Sequence, residues 1–124
     1  MTAADMNVLR RWVADGGCLL AWGDTSIHNE YLESGQGYWL GDVFGVARGR
    51  TARRKGLHAP DRSSGLPSFA VGRPLRPVAG GRKTVDAAEL TPVGSAKVLL
   101  RWSDNTAAMV VNTYGKGTAL LANF

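Results

Sequence analysis

One block constrains the chain more than any other: Leu9-Arg10-Arg11-Trp12-Val13-Ala14-Asp15-Gly16-Gly17-Cys18-Leu19-Leu20-Ala21. Thr2 to Asp15 reads as an amphipathic helix. Met6, Leu9 and Val13 fall at helical spacing, Val8 and Trp12 widen the apolar face, and Arg10 and Arg11 lie opposite. Thr2 can cap this helix, with Asp5 three residues on as its capping-box partner. Gly16-Gly17 ends it, because glycine takes the left-handed C-cap conformation at little cost. Cys18 to Trp22 is then an apolar run without alternation, the pattern of a strand buried on both faces. Helix, glycine pair and buried strand form the second half of a βαβ unit. Its first strand would precede the helix, so the block predicts an incomplete copy of such a domain.

The remaining segments are less regular. Gly23-Asp24-Thr25-Ser26 is a polar turn at the carboxyl end of the predicted strand, the edge where open α/β sheets bind ligands. Tyr38 to Val46 suggests a short helix closed by Gly45. From Ala47 to Ser68 the chain is rich in Gly, Pro, Ser and Arg and shows no period, so a long loop is expected. Ser68 to Val78 reads as short extended pieces broken by Pro74 and Pro77. Strands are expected at Lys97–Trp102, Ala107–Asn112 and Thr118–Phe124, with turns at 103–106 and 114–117.

Composition narrows the class. With 124 residues and 44% hydrophobic content, one modest core and one domain are expected. No apolar run approaches the roughly 20 residues of a membrane span, and no signal peptide is visible. The single cysteine, Cys18, excludes an internal disulfide and a cysteine zinc site and fits a reducing, cytoplasmic setting. Fifteen Lys and Arg give a net charge of +5, which raises nucleic acid as a partner. The whole excess comes from Arg48, Arg50, Arg53, Arg54 and Lys55. That cluster lacks interleaved aromatics for base stacking, so a solvated or ion-pairing surface is the favoured reading and a nucleic-acid partner is not expected.

Three segments together carry a family resemblance. The helix–Gly-Gly–strand block resembles a segment common in glutamine-amidotransferase-like domains. Gly23-Asp24-Thr25-Ser26-Ile27-His28-Asn29-Glu30-Tyr31, followed by Leu40-Gly41-Asp42-Val43-Phe44-Gly45-Val46, is similar to a pattern of glycoside hydrolases and the β-galactosidase trimerisation domain. Ala108-Met109-Val110-Val111-Asn112-Thr113-Tyr114-Gly115-Lys116-Gly117 resembles that family's strand–turn–strand. Order and spacing match over about residues 6–46 and 97–124, and the middle is unaligned. The resemblance implies a three-layer, flavodoxin-like α/β fold with a mostly parallel sheet and a β-rich C-terminal part. It would be a single domain over 1–124, with 47–68 as a loop-like insertion. It also implies a non-catalytic accessory or oligomerisation role, through self-association or beside a neighbouring glycosidase barrel that carries the sugar chemistry.

The candidate sites are few. An amidotransferase cysteine needs a strained Gly-x-Cys-x-Gly elbow. Cys18 instead opens an apolar run with no glycine after it, so it reads as a packed core residue. Asp24, Thr25, Ser26, His28 and Glu30 cluster after the strand, where they could contact a carbohydrate or a partner. The competing reading has Asp24 and Thr25 satisfying backbone donors of the turn, with His28 and Glu30 solvated. No further ligands stand at metal spacing, so no metal or cofactor is expected. Tyr114-Gly115-Lys116-Gly117 lacks the first glycine of a phosphate loop and is better read as a tight turn. Trp12, Trp22, Trp39 and Trp102 could form a sugar platform, but their apolar contexts favour packing.

Overall fold

A computed structural model describes residues 1–28, 37–58 and 84–124. Helix α1 spans Ala3–Ala14, and its capping box forms as expected. Thr2 Oγ1 accepts from the Asp5 amide at 3.1 Å, while Asp5 accepts from the Thr2 amide at 2.9 Å. The Thr2 amide thereby holds the Asp5 carboxyl below its usual pKa. At the other end Gly16 takes φ 119°. Gly17 has no room for a side chain, since a Cβ there would lie 2.5 Å from the Trp12 ring. The glycine pair therefore does two jobs: one residue supplies the turn, the other a close approach.

The strands are β1 (Cys18–Trp22), β2 (Val46–Arg54), β3 (Val85–Pro92), β4 (Lys97–Arg101), β5 (Ala107–Tyr114) and β6 (Gly117–Ala122). A four-residue helix, α2 (Gly41–Phe44), precedes β2 and is closed by Gly45 at φ 67°, in the expected place. One sheet has the order β1-β6-β5-β4 and the other pairs β2 with β3. Among the described residues only β1 and β6 run parallel; the β6–β5, β5–β4 and β2–β3 pairs are antiparallel.

This overturns the expected three-layer, flavodoxin-like fold with a mostly parallel sheet. The reason lies in the connections. A parallel pair needs a crossover of a dozen or more residues, usually a helix. Strands β4, β5 and β6 are joined by tight turns, which force antiparallel neighbours. Among the described residues α1 is the one helix long enough to cover a sheet, and strands predominate. The long loop expected from Ala47 is also corrected, because residues 47–54 belong to β2. The rest of that loop from residue 59, and the pieces expected at 68–78, lie outside the described residues.

Strand β1 departs from expectation as well. Leu19 and Ala21 face the main core, but Cys18, Leu20 and Trp22 are exposed. The run is buried on one face and not on both. The main core joins Met6 and Val13 of α1, Ala21 of β1, Ala119 and Leu121 of β6 and Val110 of β5 to the Leu40–Val46 segment. A second cluster, Leu57, Ala87, Leu100, Trp102 and Ala108, packs the β2–β3 sheet against β4 and β5. It includes one of the four tryptophans; Trp12, Trp22 and Trp39 are exposed.

The β5–β6 turn explains Gly115-Lys116-Gly117. The Lys116 amide donates to Ala14 O at 2.8 Å and the Thr118 amide to Gly17 O at 3.1 Å. A Cβ on Gly117 would sit 2.0 Å from Val13 O. The turn thus caps the C-terminal end of α1 at backbone contact distance. It is a packing device, as the missing phosphate-loop pattern suggested.

Candidate functional site

The polar turn leaves β1 at its carboxyl end, and two residues there take left-handed backbone angles. Gly23 has φ 62°, cheap for glycine, and Ser26 has φ 62°, which strains a residue bearing a Cβ. Thr25 Oγ1 donates to Trp22 O at 2.6 Å. The Asp24 carboxylate accepts from Arg48 Nη2 at 3.2 Å. The Tyr38 hydroxyl donates to Gly23 O at 3.3 Å, and the Trp39 amide donates to Ser26 O at 2.9 Å.

Arg48 is the hub of this corner. Its guanidinium carbon lies 5.9 Å from the centre of the Tyr38 ring, a cation–π distance. A second contact runs from Nη2 to Thr51 Oγ1 at 3.4 Å. Burial raises the Tyr38 pKa, and the Arg48 charge works against that rise. Two buried polar atoms here have no hydrogen-bond partner among the described residues: Ser26 Oγ and Arg48 Nε. Such orphans are uncommon in folded proteins and call for a reason.

Of the five expected contact residues, the structure brings Asp24, Thr25 and Ser26 together in the turn, with His28 exposed beyond them. Glu30 lies outside the described residues. Both were expected to meet backbone donors; instead Thr25 donates to a backbone carbonyl and Asp24 pairs with an arginine side chain. Tyr38 and Arg48 were not anticipated as neighbours of the turn. Tyr38 carried no signal beyond the apolar segment that it opens, and Arg48 was hidden in the basic cluster.

That cluster is largely neutralised within the chain. Arg48 pairs with Asp24, Arg53 with Asp86 at 3.6 Å, and Arg54 with Asp104. Arg54 is buried, and it also donates to Ala87 O and Thr106 Oγ1. Three of the five cations of that cluster are thus engaged in ion pairs, one with a residue of β3 and two with residues of turns. Cys18 is corrected too: it is exposed on β1 and not packed in the core. Among the described residues, no group of three or more His, Cys, Asp or Glu is arranged to hold a metal ion. Among them also, no helix is long and apolar enough to cross a membrane.

An apolar groove of 160 Å³ borders the turn and β1. Met1, Leu9, Leu20, Trp22, Leu40 and Phe44 line it, with Thr25 at its polar end.

The fold recurs in known structures. No protein-family model matches the chain, and no curated protein matches it in sequence. The GH42 β-galactosidase Gan42B from G. stearothermophilus superposes at TM-score 0.72 with 22% identity, over 99% of this chain and 17% of that one. The cold-adapted β-galactosidase from Rahnella sp. R3 gives TM-score 0.78 and 19% identity, over 99% and 18%. The β-galactosidase of the haloarchaeon Halorubrum lacusprofundi gives TM-score 0.72 and 16% identity, over 98% and 17%. The chain thus spans under a fifth of the length of these enzymes, and what it shares with that part of them is its fold.

Proposed function

We propose that this chain, as a single domain over residues 1–124, is a non-catalytic accessory or oligomerisation domain of a β-galactosidase-type glycoside hydrolase-like protein. It acts by self-association or by packing beside a glycosidase barrel, in a reducing compartment such as the cytoplasm. One observation carries this reading. Essentially the whole chain superposes on β-galactosidases, yet on under a fifth of each.

The carboxylates support the same reading. Glycoside hydrolysis uses two facing carboxyl groups, one as acid and one as nucleophile or base. Here Asp24, Asp42, Asp86 and Asp104 are each paired with an arginine, and Asp5 caps a helix. Arg10 holds the Asp42 carboxyl below its usual pKa, and Thr106 and Arg54 do the same for Asp104, which suits structure and not proton donation. Purified protein should leave aryl-β-galactosides unhydrolysed. Sustained turnover that survives further purification would overturn the proposal.

A second reading rests on the orphaned Ser26 hydroxyl and Arg48 Nε. A small carbohydrate or metabolite binding at the Gly23–Glu30 edge, through Asp24, Thr25, Ser26, His28 and Glu30, would give them partners. Trp22 leads directly into that turn. Titration with galactosides should then change its fluorescence, and a flat response across sugars counts against this reading.

A further inference from the structure

The apolar groove has an exposed rim and a buried floor. Ala21, Leu40 and Phe44 line it at 6%, 1% and 0% exposure, and all three belong to the main core. Leu20 and Trp22 form the rim at 55% and 65% exposure. No charged side chain stands among the described residues that line it, and among them only Thr25 carries a hydroxyl. Cores are normally close-packed, so an apolar recess of 160 Å³ that reaches one leaves dispersion contacts unmade. An apolar cavity of about 150 Å³ accepts one benzene molecule. The groove is therefore sized for a single six-membered ring.

The polar corner adjoins this groove along the chain. Asp24 and Ser26 flank Thr25, and Tyr38 stands two residues before Leu40. Two bonds fix the join: Thr25 Oγ1 donates to Trp22 O at 2.6 Å, and the Trp39 amide donates to Ser26 O at 2.9 Å. The chemistry changes across Thr25. On the corner side the Asp24 carboxylate holds Arg48 through Oδ1, and its side chain is 65% exposed. Oδ2 is thus placed to accept from hydroxyls. The Ser26 hydroxyl and Arg48 Nε are donors without partners among the described residues. Acid and arginine cancel in charge, so the corner suits a neutral polyol better than an ion.

We propose that groove and corner form one site for an amphiphilic glycoside, a neutral sugar that carries an aromatic or other apolar ring as its aglycone. This rests on the carbohydrate reading above and names the ligand class. The sugar lies at the corner, its hydroxyls donating to Asp24 Oδ2 and its oxygens accepting from Ser26 and Arg48. The aglycone fills the groove against Leu20, Leu40 and Phe44. Thr25 stands between the two halves, its proton committed to Trp22 O and its lone pairs free to accept from the sugar. Neither half suffices alone. Hydrogen bonds at an exposed corner compete with water and give little net affinity, and the groove has few polar groups to orient a free aromatic molecule. Joined, the buried ring adds to the sugar. Burying about two methylene equivalents, each worth roughly fourfold, raises affinity at least about tenfold.

The test uses the intact 124-residue protein, titrated in a calorimeter with methyl β-galactoside, phenyl β-galactoside and phenol. The phenyl glycoside should bind at least about tenfold more tightly than the methyl glycoside, and more tightly than phenol. Leu20→Glu puts a charge on the apolar rim. It should cut that preference below about threefold and leave the methyl glycoside's affinity unchanged. Val93→Glu, exposed in the β3–β4 turn, should alter neither. The Leu20 side chain is exposed, so its variant keeps the fold, which circular dichroism verifies, and the comparison of probes on the wild type needs no variant. Equal affinity for the two glycosides would overturn the groove assignment and leave the carbohydrate reading in place. Phenol binding as tightly as its glycoside, with the methyl glycoside inert, would overturn the joint site and the carbohydrate reading together. So would the absence of binding by all three probes up to about 10 mM, beyond the range of a specific site.

Discussion

The guanidinium of Arg54, at the end of β2, is closed off by the carboxylate of Asp104 in the β4–β5 turn. This ion pair ties the two sheets together. The Arg54 side chain is 6% exposed and that of Asp104 is 49% exposed, so the arginine bears most of the desolvation. Removing the acid alone strands a buried cation on two neutral acceptors, Ala87 O and Thr106 Oγ1. Breaking a fully buried pair costs about 3–5 kcal/mol, and the solvent at Asp104 reduces this to about 2 kcal/mol for Asp104→Ala. The double variant Arg54→Met/Asp104→Ala should recover at least half of that loss. Urea unfolding of the wild type and the two variants checks the order, and a double variant less stable than Asp104→Ala alone would contradict it.

A second tie responds to pH. Arg10 on α1 grips Asp42 of α2 through two bonds, Nε to Oδ2 at 2.9 Å and Nη2 to Oδ1 at 3.1 Å. Burial pushes the Asp42 pKa up, but the hydrogen bond and charge of Arg10 outweigh it, and the net shift is down from 3.8. A carboxyl depressed in the folded state contributes stability that is complete above its unfolded value. That contribution is lost as pH falls through the lower folded value. Asp42→Asn should therefore cost about 1 kcal/mol at neutral pH, a figure discounted for the exposure of the pair. Its deficit relative to wild type should shrink as pH drops below 3.8. Thermal melts of both proteins across the acid range measure this, and a deficit constant with pH would remove the ionic explanation.

The β5–β6 turn gives a steric prediction. A methyl on Gly117 meets Val13 O at 2.0 Å and Gly17 O at 2.4 Å, both backbone atoms. Neither can yield without lifting α1 from the sheet. Gly117→Ala should cost about 3 kcal/mol, the upper end for overpacking. Gly94→Ala offers a control: nothing lies within 4 Å of a Cβ there, so only the strain of φ 62° remains. A Gly117 variant no worse than the Gly94 variant would mean that the helix end gives way easily.

How much of this could be read from the sequence depends on how local each determinant was. Thr2 with Asp5, Gly45 after an apolar stretch and the turns at 103–106 and 114–117 are set by neighbours a few residues apart. All formed where expected. Burial of Cys18 was misread because an apolar run shows that side chains avoid charge, not that the fold supplies cover for both faces. Strand β2 was missed because Arg48, Arg50, Arg53 and Arg54 look like a solvated loop until Asp24, Asp86 and Asp104 stand beside them. Those partners lie 24, 33 and 50 residues away from Arg48, Arg53 and Arg54. The candidate site was legible in part for the same reason. Asp24, Thr25 and Ser26 are contiguous, whereas Tyr38 and Arg48 reach the turn only through the fold.

Ser26 allows the corner to be probed directly. Its left-handed backbone costs a residue with a Cβ about 1–2 kcal/mol, and its buried hydroxyl has no partner among the described residues. Ser26→Gly removes both penalties at the expense of about 0.4–1 kcal/mol of extra chain freedom when unfolded, so a net gain of about 1 kcal/mol is expected. Ser26→Ala keeps the strain and deletes only the hydroxyl. If the hydroxyl is unsatisfied, the alanine variant should also gain stability, and the two gains together apportion strain and desolvation. If Ser26→Ala instead loses about 1 kcal/mol or more, the typical net worth of a hydrogen bond, the hydroxyl has a partner in the folded protein. Chemical denaturation of the two variants in buffer, repeated with a saturating galactoside, separates these cases. A sugar that stabilises the wild type but not Ser26→Ala would identify that partner as ligand, whereas equal behaviour with and without sugar would return Ser26 to a purely structural role.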